Sequence, residues 1–228
     1  MIIPLKDDNP TRRLPVLMVS ILLANVAVFL YAHFLGETGF RAFTDQYGLI
    51  PLEVTQLSDA VSPTPIPLLL TFLTAMFMHG GWMHLGGNML YLWIFGNNVE
   101  DTLGHVRFLG FYLLCGLIAT LAHVVSASDS TLPMVGASGA IAGILGAYAA
   151  AFPGARVHVL VFYFVLRIPA LIVLAIWLLI QLGNASTDPG TEGGVAWYAH
   201  IAGFIVGYLF MRQRGQRIRQ VGSEGYTM

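Results

Sequence analysis

The sequence predicts an all-α, polytopic membrane protein built as a bundle of six spans. Three observations point there. Hydrophobic residues make up 56% of the 228 residues and charged ones only 10%, against roughly 25% charged in a soluble domain. The apolar residues gather in runs close to the about 20 residues that cross a bilayer. Lys and Arg collect at the connections that one side of such a bundle would share.

The elements follow in order. A polar segment, 1–13, carries Lys6, Arg12 and Arg13. The run 14–34 is the first span; it is longer than a signal peptide's apolar core and no small-x-small cleavage site follows. A long connection, 35–78, holds Pro51, Pro63, Pro65 and Pro67 before the apolar stretch Leu68 to Met78. The second span is expected at 82–99 and the third at 107–126. After a short loop, 128–136, the fourth runs over 137–152 and stops at Pro153-Gly154. Joined to the fifth span, 167–183, the stretch Val157 to Leu166 would overfill a bilayer, so an interfacial or re-entrant segment is expected there. A polar loop, 184–194, leads to the sixth span, 195–212, and a tail, 213–228.

Orientation follows the basic residues. With six spans both ends share a side, and Arg107, Arg156, Arg167, Arg212 and Arg214 fall on it, with only Arg41 opposite. Both termini are expected in the cytoplasm, with 35–78, 128–136 and 184–194 outside. A net charge of −1 gives no field for nucleic acid. Cys115 is alone, which excludes an intrachain disulfide.

Polar groups inside spans are costly and mark function. His84 and Asn88, four apart, share a face of the second span and both can donate hydrogen bonds. His79 and His84 are five apart with no Glu between them, a poor metal-ligand spacing, so no metal is expected. Taken alone, this cluster reads better as polar glue between helices. Ser138, flanked by Gly136 and Gly139, opens the fourth span. A helix start offers unpaired N–H groups and favours negative charge, which suits a nucleophile whose attack creates an oxyanion. His200 lies in the sixth span. Gly139/Gly143 and Gly203/Gly207 repeat at GxxxG spacing on these two spans, which lets helix backbones touch. Ser138 lies about five residues, and His200 about six, into its span, so both should sit at a similar depth of under about 10 Å. Close packing would then bring hydroxyl and imidazole together as nucleophile and base. His33, His105, His123 and His158 are expected at interfaces or in loops.

In order along the chain stand His79-x4-His84-x3-Asn88, Gly96-x3-Glu100, Gly136-Ala-Ser138-Gly139 and Ala199-His200-x2-Gly203. This set resembles the rhomboid intramembrane proteases over roughly 14–212. The resemblance implies a six-span rhomboid-type bundle and a Ser138–His200 dyad with no third carboxylate. It implies an oxyanion hole from His84, Asn88 and the Ser138 N–H, with His79 organising the site. It implies no cofactor, and substrates that are membrane proteins with an unstable transmembrane helix, met in the lipid bilayer. The loop 35–78 would be embedded in the membrane, and the fifth span with loop 184–194 would form the substrate gate. The expected location is a bacterial inner membrane. Two departures stand out: the family's Trp-Arg in the first loop is Leu70-Thr71 here, and a Tyr four residues after the nucleophile is Ala142. The rival classes are an inactive binder of client helices, against which both Ser138 and His200 argue, and a small-solute transporter, against which the lack of paired spans argues.

Overall fold

The computed structural model describes residues 2–58, 61–187 and 195–224, with side chains to residue 214 at that end. A strand, β1 (Ile2–Asp7), precedes helix α1 (Val16–Phe34). The long connection is mostly helical: α2 (Gly36–Tyr47), α3 (Pro51–Gln56) and a single turn, α4 (Thr71–Thr74), flanked by 3-10 turns. Helices α5 (Trp82–Leu103), α6 (His105–Ser126) and α7 (Ser138–Ala151) follow, then strands β2 (Arg156–Val161) and β3 (Phe164–Pro169). The chain ends in α8 (Ala170–Thr187) and α9 (Trp197–Glu224). Much of the loop expected at 184–194 lies outside the described residues; its first four residues belong to α8.

Each expected span falls on a helix, and the molecule is a helical membrane bundle. By length and composition α1, α6 and α8 could each cross a bilayer, and Leu68–Phe77 with α5 forms a pair bent by 79°. Helix α7 is apolar but only 14 residues long. It is the centre of the bundle: eleven of those residues, Gly139 to Ala149, are buried without a break.

The stretch after α7 departs from expectation. Val157–Leu166, expected as an interfacial or re-entrant segment, is the body of a β-hairpin. The strand β1 pairs antiparallel with it, Pro4 opposite Val159, to make a sheet ordered β1-β2-β3. Asp8 locks one end. Its N–H bonds the Arg156 carbonyl at 3.0 Å, and its carboxylate accepts from His158 Nε2 at 2.8 Å and from Arg167 Nε at 2.5 Å. The hydrogen bond from His158, then that from Arg167, holds the Asp8 carboxyl below its ordinary 3.8. Asp7 is pushed the other way, raised by burial although the Tyr148 hydroxyl donates to it.

The same side of the bundle holds the first helix in place. Glu100, buried near the end of α5, accepts the N–H groups of Leu17 at 3.0 Å and Met18 at 2.7 Å. It caps α1 across the bundle, satisfying N–H groups that the helix cannot. His105 bonds the same carboxylate from the first turn of α6. At the opposite side the first loop is held by backbone bonds. Leu49 pairs with Met134, and Leu52 N–H reaches the Ser130 carbonyl at 3.0 Å. Thr74 donates to the Tyr47 carbonyl at 2.6 Å. These anchors act without the Trp-Arg pair that the sequence lacks.

Candidate active site

Helices α7 and α9 touch backbone to backbone. A methyl group built on Gly203 would lie 2.2 Å from the Gly139 carbonyl oxygen, and one on Gly207 would lie 1.9 Å from that of Gly143. No side chain larger than hydrogen fits at either place. Gly139 is also 3.9 Å, measured from its own would-be Cβ, from the Ala199 methyl. The turn that begins with Ser138 therefore abuts the turn that carries His200, as the paired GxxxG spacing predicted.

Ser138 is the first residue of α7, half-buried, with an N–H that has no partner inside the helix. The chain reaches it through Gly136, at φ +135°, a conformation L side chains rarely adopt. Space forbids a side chain there as well. A Cβ on Gly136 would meet the His84 ring at 2.9 Å, and Ser138 Oγ lies 3.5 Å from the same point. Serine hydroxyl and His84 imidazole thus flank Gly136 together. The Gly136 N–H bonds the Ala75 carbonyl at 2.9 Å, which fixes the turn against the end of the first loop.

His84 stands in the first turn of α5. Its Nδ1 accepts from the Gly80 N–H at 3.4 Å, so in the neutral ring Nε2 carries the proton and donates toward the serine side. One turn on, Asn88 is buried and its Nδ2 has no partner among the described residues. His79 is buried beside His84, ring centroids 5.1 Å apart. Neither of its nitrogens has a partner among the described residues.

A cavity of about 1010 Å³ opens over Ser138 and His84, while Asn88, His79 and His200 are not part of its wall. Ser138, His84, Trp82, His123, Met134 and Val195 contribute to its wall. His123 corrects the sequence reading. It is buried in the last turn of α6 rather than exposed, and it lines the same cavity as Ser138.

His200 is buried in the first turn of α9. Its Nε2 has no hydrogen bond among the described residues, so the Ser138–His200 bond is not made in this structure. Its Nδ1 is 2.7 Å from Gln181 Oε1 of α8. In place of the absent tyrosine at Ala142, two tryptophans pack around the imidazole: Trp177 at 5.9 Å, tilted 35°, and Trp197 at 6.2 Å, edge-on. Sequence reasoning missed Gln181, although a lone Gln in an apolar span was itself a signal. Among the described residues no His, Cys, Asp and Glu group could hold a metal ion.

Compared with known families, residues 68–216 match the rhomboid domain. The chain belongs to the rhomboid family. Among its relatives, mitochondrial Rhomboid protein 1 of Saccharomyces cerevisiae is 28% identical over 67% of this chain and 46% of its own length. RHOMBOID-like protein 4 of Arabidopsis thaliana is 25% identical over 86% of this chain and 51% of its own. Rhomboid protease GluP of Bacillus subtilis is 45% identical over 33% of this chain and 14% of its own. The chain thus spans about half, or less, of the length of these relatives.

Proposed function

We propose that this rhomboid-family chain is an intramembrane serine endopeptidase that cuts transmembrane segments of other membrane proteins near the outer face of the bilayer. The observation that carries the reading is the start of α7. There Ser138 faces a cavity, His84 flanks it across Gly136, and glycine packing presses the turn of His200 against it.

In the proposed mechanism Ser138 Oγ attacks a substrate carbonyl while His200 Nε2 takes its proton. The negative oxygen would accept from His84 Nε2–H, Asn88 Nδ2 and the Ser138 N–H, which stabilise the charge as it develops. His79 supports His84 from behind. His200 then gives its proton to the leaving amine, and water admitted through the cavity releases the acyl group from Ser138. Ser138 and His200 must close onto each other when substrate binds, since catalytic hydrogen bonds are commonly long in free enzymes. Substrates with a weak helix are favoured, because a bilayer penalises every backbone group freed for attack.

On this reading the chain sits in a bacterial inner membrane and has six spans with both termini in the cytoplasm, the side that the basic residues favour. The sheet supports it: β1 precedes the first span and β2–β3 precedes the fifth, yet they form one structure. The N-terminal ends of α5, α7 and α9, which carry the site, then share the outer side.

The unmade Ser138–His200 bond is the feature that an inactive binder of client helices would also show. A serine-directed fluorophosphonate and a cleavage assay separate the two. Wild-type protein should label at Ser138 and cleave a single-span reporter; Ser138→Ala and His200→Ala should each abolish cleavage, and the double variant should be no worse, because the pair acts as a unit. Appreciable cleavage by the Ser138→Ala protein removes Ser138 as nucleophile.

A further inference from the structure

We propose that Gln181 of α8 is a positioning residue for His200: it holds Nδ1 protonated and so leaves Nε2 free as the base. This rests on the reading of Ser138 and His200 given above.

Gln181 sits two-thirds of the way along an apolar helix and is 5% exposed. Its amide has only one consistent orientation. The Nε2 group donates to the Trp177 carbonyl, one turn back, at 3.1 Å. A carbonyl cannot donate, so the amide nitrogen must face it. The amide oxygen then faces His200 Nδ1 at 2.7 Å, and an amide oxygen only accepts. Nδ1 must therefore carry the hydrogen. In a neutral imidazole the other nitrogen, Nε2, then has the free electron pair. That nitrogen is the buried one with no partner among the described residues. Without Gln181 nothing shown around Nδ1 would favour this tautomer over the other, in which Nε2 could not take a proton from serine.

The arrangement has the logic of a serine-protease triad with a neutral amide in place of the carboxylate. The amide fixes tautomer and ring direction and adds no charge that burial would penalise. Trp177 is four residues before Gln181 on the same face, and its ring lies beside both His200 and Phe204. One face of α8 thus supplies the hydrogen bond and the flank of the imidazole. Outward displacement of α8 would remove both, so the position of this helix and the readiness of the base are one variable.

The test uses the full-length protein in proteoliposomes with a fluorogenic single-span peptide, following kcat, KM and the pH–rate profile. The titratable groups that face His200 from neighbouring helices are His84 of α5 and His123 of α6, and both stay unchanged in every variant. Gln181→Leu removes the acceptor; kcat should fall about 10- to 100-fold, the range expected for a lost buried hydrogen bond, with KM little changed. Gln181→Glu keeps an acceptor and should retain kcat within a few-fold at its optimum. The acidic limb should move to lower pH in the Leu variant, where the imidazolium loses a partner, and to higher pH in the Glu variant, where it gains a charged one. Thermal unfolding of both variants measures the purely structural contribution.

If Gln181→Leu matches wild type with an unmoved limb, or if Leu and Glu slow cleavage equally, Gln181 does not position the base. Should the Leu protein fail to fold, the direction of the limb in Gln181→Glu decides alone. Ser138→Ala runs alongside. If it cleaves like wild type, the reading of the site itself falls; if it is inactive while Gln181→Leu is normal, only the role of Gln181 falls.

Discussion

Adding one methyl group at Gly203 should disable the site more than it destabilises the protein. The Cβ of Gly203→Ala would lie 2.2 Å from the Gly139 carbonyl oxygen, 3.2 Å from its carbon and 3.3 Å from the Ala142 Cβ. Two of these neighbours are backbone in the first turn of a buried helix, so neither can swing aside as a side chain can. Restoring a normal contact, about 3.5 Å, requires α7 and α9 to part by about 1 Å. Overpacking of this kind costs about 1–3 kcal/mol in stability. The same displacement separates Ser138 from His200, and about 1 Å of misplacement can cost on the order of 100-fold in rate. Gly207→Ala is the informative partner. Its methyl would be as crowded, 1.9 Å from the Gly143 oxygen, but it lies seven residues beyond His200, about 10 Å further along the helix. It should lower the melting temperature as much as Gly203→Ala and reduce cleavage less. Gly110→Ala, with open space around its Cβ, is the control on α6; Gly116 is unsuitable because its Cβ would strike the Met76 side chain. Cleavage rate per folded molecule and thermal unfolding are measured for all three. Wild-type cleavage by Gly203→Ala would refute the argument that this contact sets the distance between hydroxyl and imidazole.

Asn88→Ala should slow cleavage by about 10- to 1,000-fold, the cost of losing one oxyanion donor, while labelling by a fluorophosphonate persists slowly; an unchanged rate would return Asn88 to the role of helix glue. With both termini inside, impermeant thiol reagent added to intact cells should reach Asp129→Cys and not Tyr163→Cys at the hairpin tip, and the reverse pattern would invert the orientation. Asp8→Asn should lower the melting temperature near neutral pH. A carboxyl held below 3.8 adds stability that is present above that value and lost as pH falls through the lowered one, so the two proteins should converge on acidification. A difference that persists at about pH 2 would show that the pairing with His158 and Arg167 is not its source.

The helices were legible because a bilayer imposes apolar runs of similar length, and the contact of α7 with α9 was legible because only glycine permits it. The hairpin was not. Its two turn positions are Phe162 and Tyr163, with Phe162 at φ +53°, where a turn is normally announced by Asn or Gly. Its partner strand comes from the far end of the chain, with Ile2 opposite Val161. No local pattern encodes such a pairing. His123 was misplaced for a related reason. It lies near the end of an apolar run, which reads as an exposed interface position, and its burial follows from tertiary packing that no local pattern announces. Ser138, His84 and Asn88 were singled out through motif order, whereas Gln181 belongs to no such motif and emerged only from its bond to His200.

The length of α7 bears on why a serine in this position could meet water at all. Its 14 residues span about 21 Å, against an apolar core of about 30 Å. On the proposed placement one end stops short of the membrane surface, and the hydrogen bonds of the other end argue for which. Tyr148, in the last turn of α7, donates its hydroxyl proton to Asp7 and accepts from Asn9 Nδ2, both at 2.7 Å. These partners belong to the polar segment before α1, on the side of the sheet, and they tie that end of α7 to its surface. The shortfall of about 9 Å then falls at the Ser138 end. There a cavity of about 1010 Å³ opens, and its wall sets His84, His123 and Arg41 among apolar side chains such as Trp82, Leu132 and Val195. A longer helix would carry Ser138 up to the surface, where a substrate helix has no reason to unwind. A helix of this length with an apolar cap would leave the acyl group without water. On the proposed reading, a short central helix ending beneath a cavity wide enough for water, with polar groups in a largely apolar wall, meets both needs.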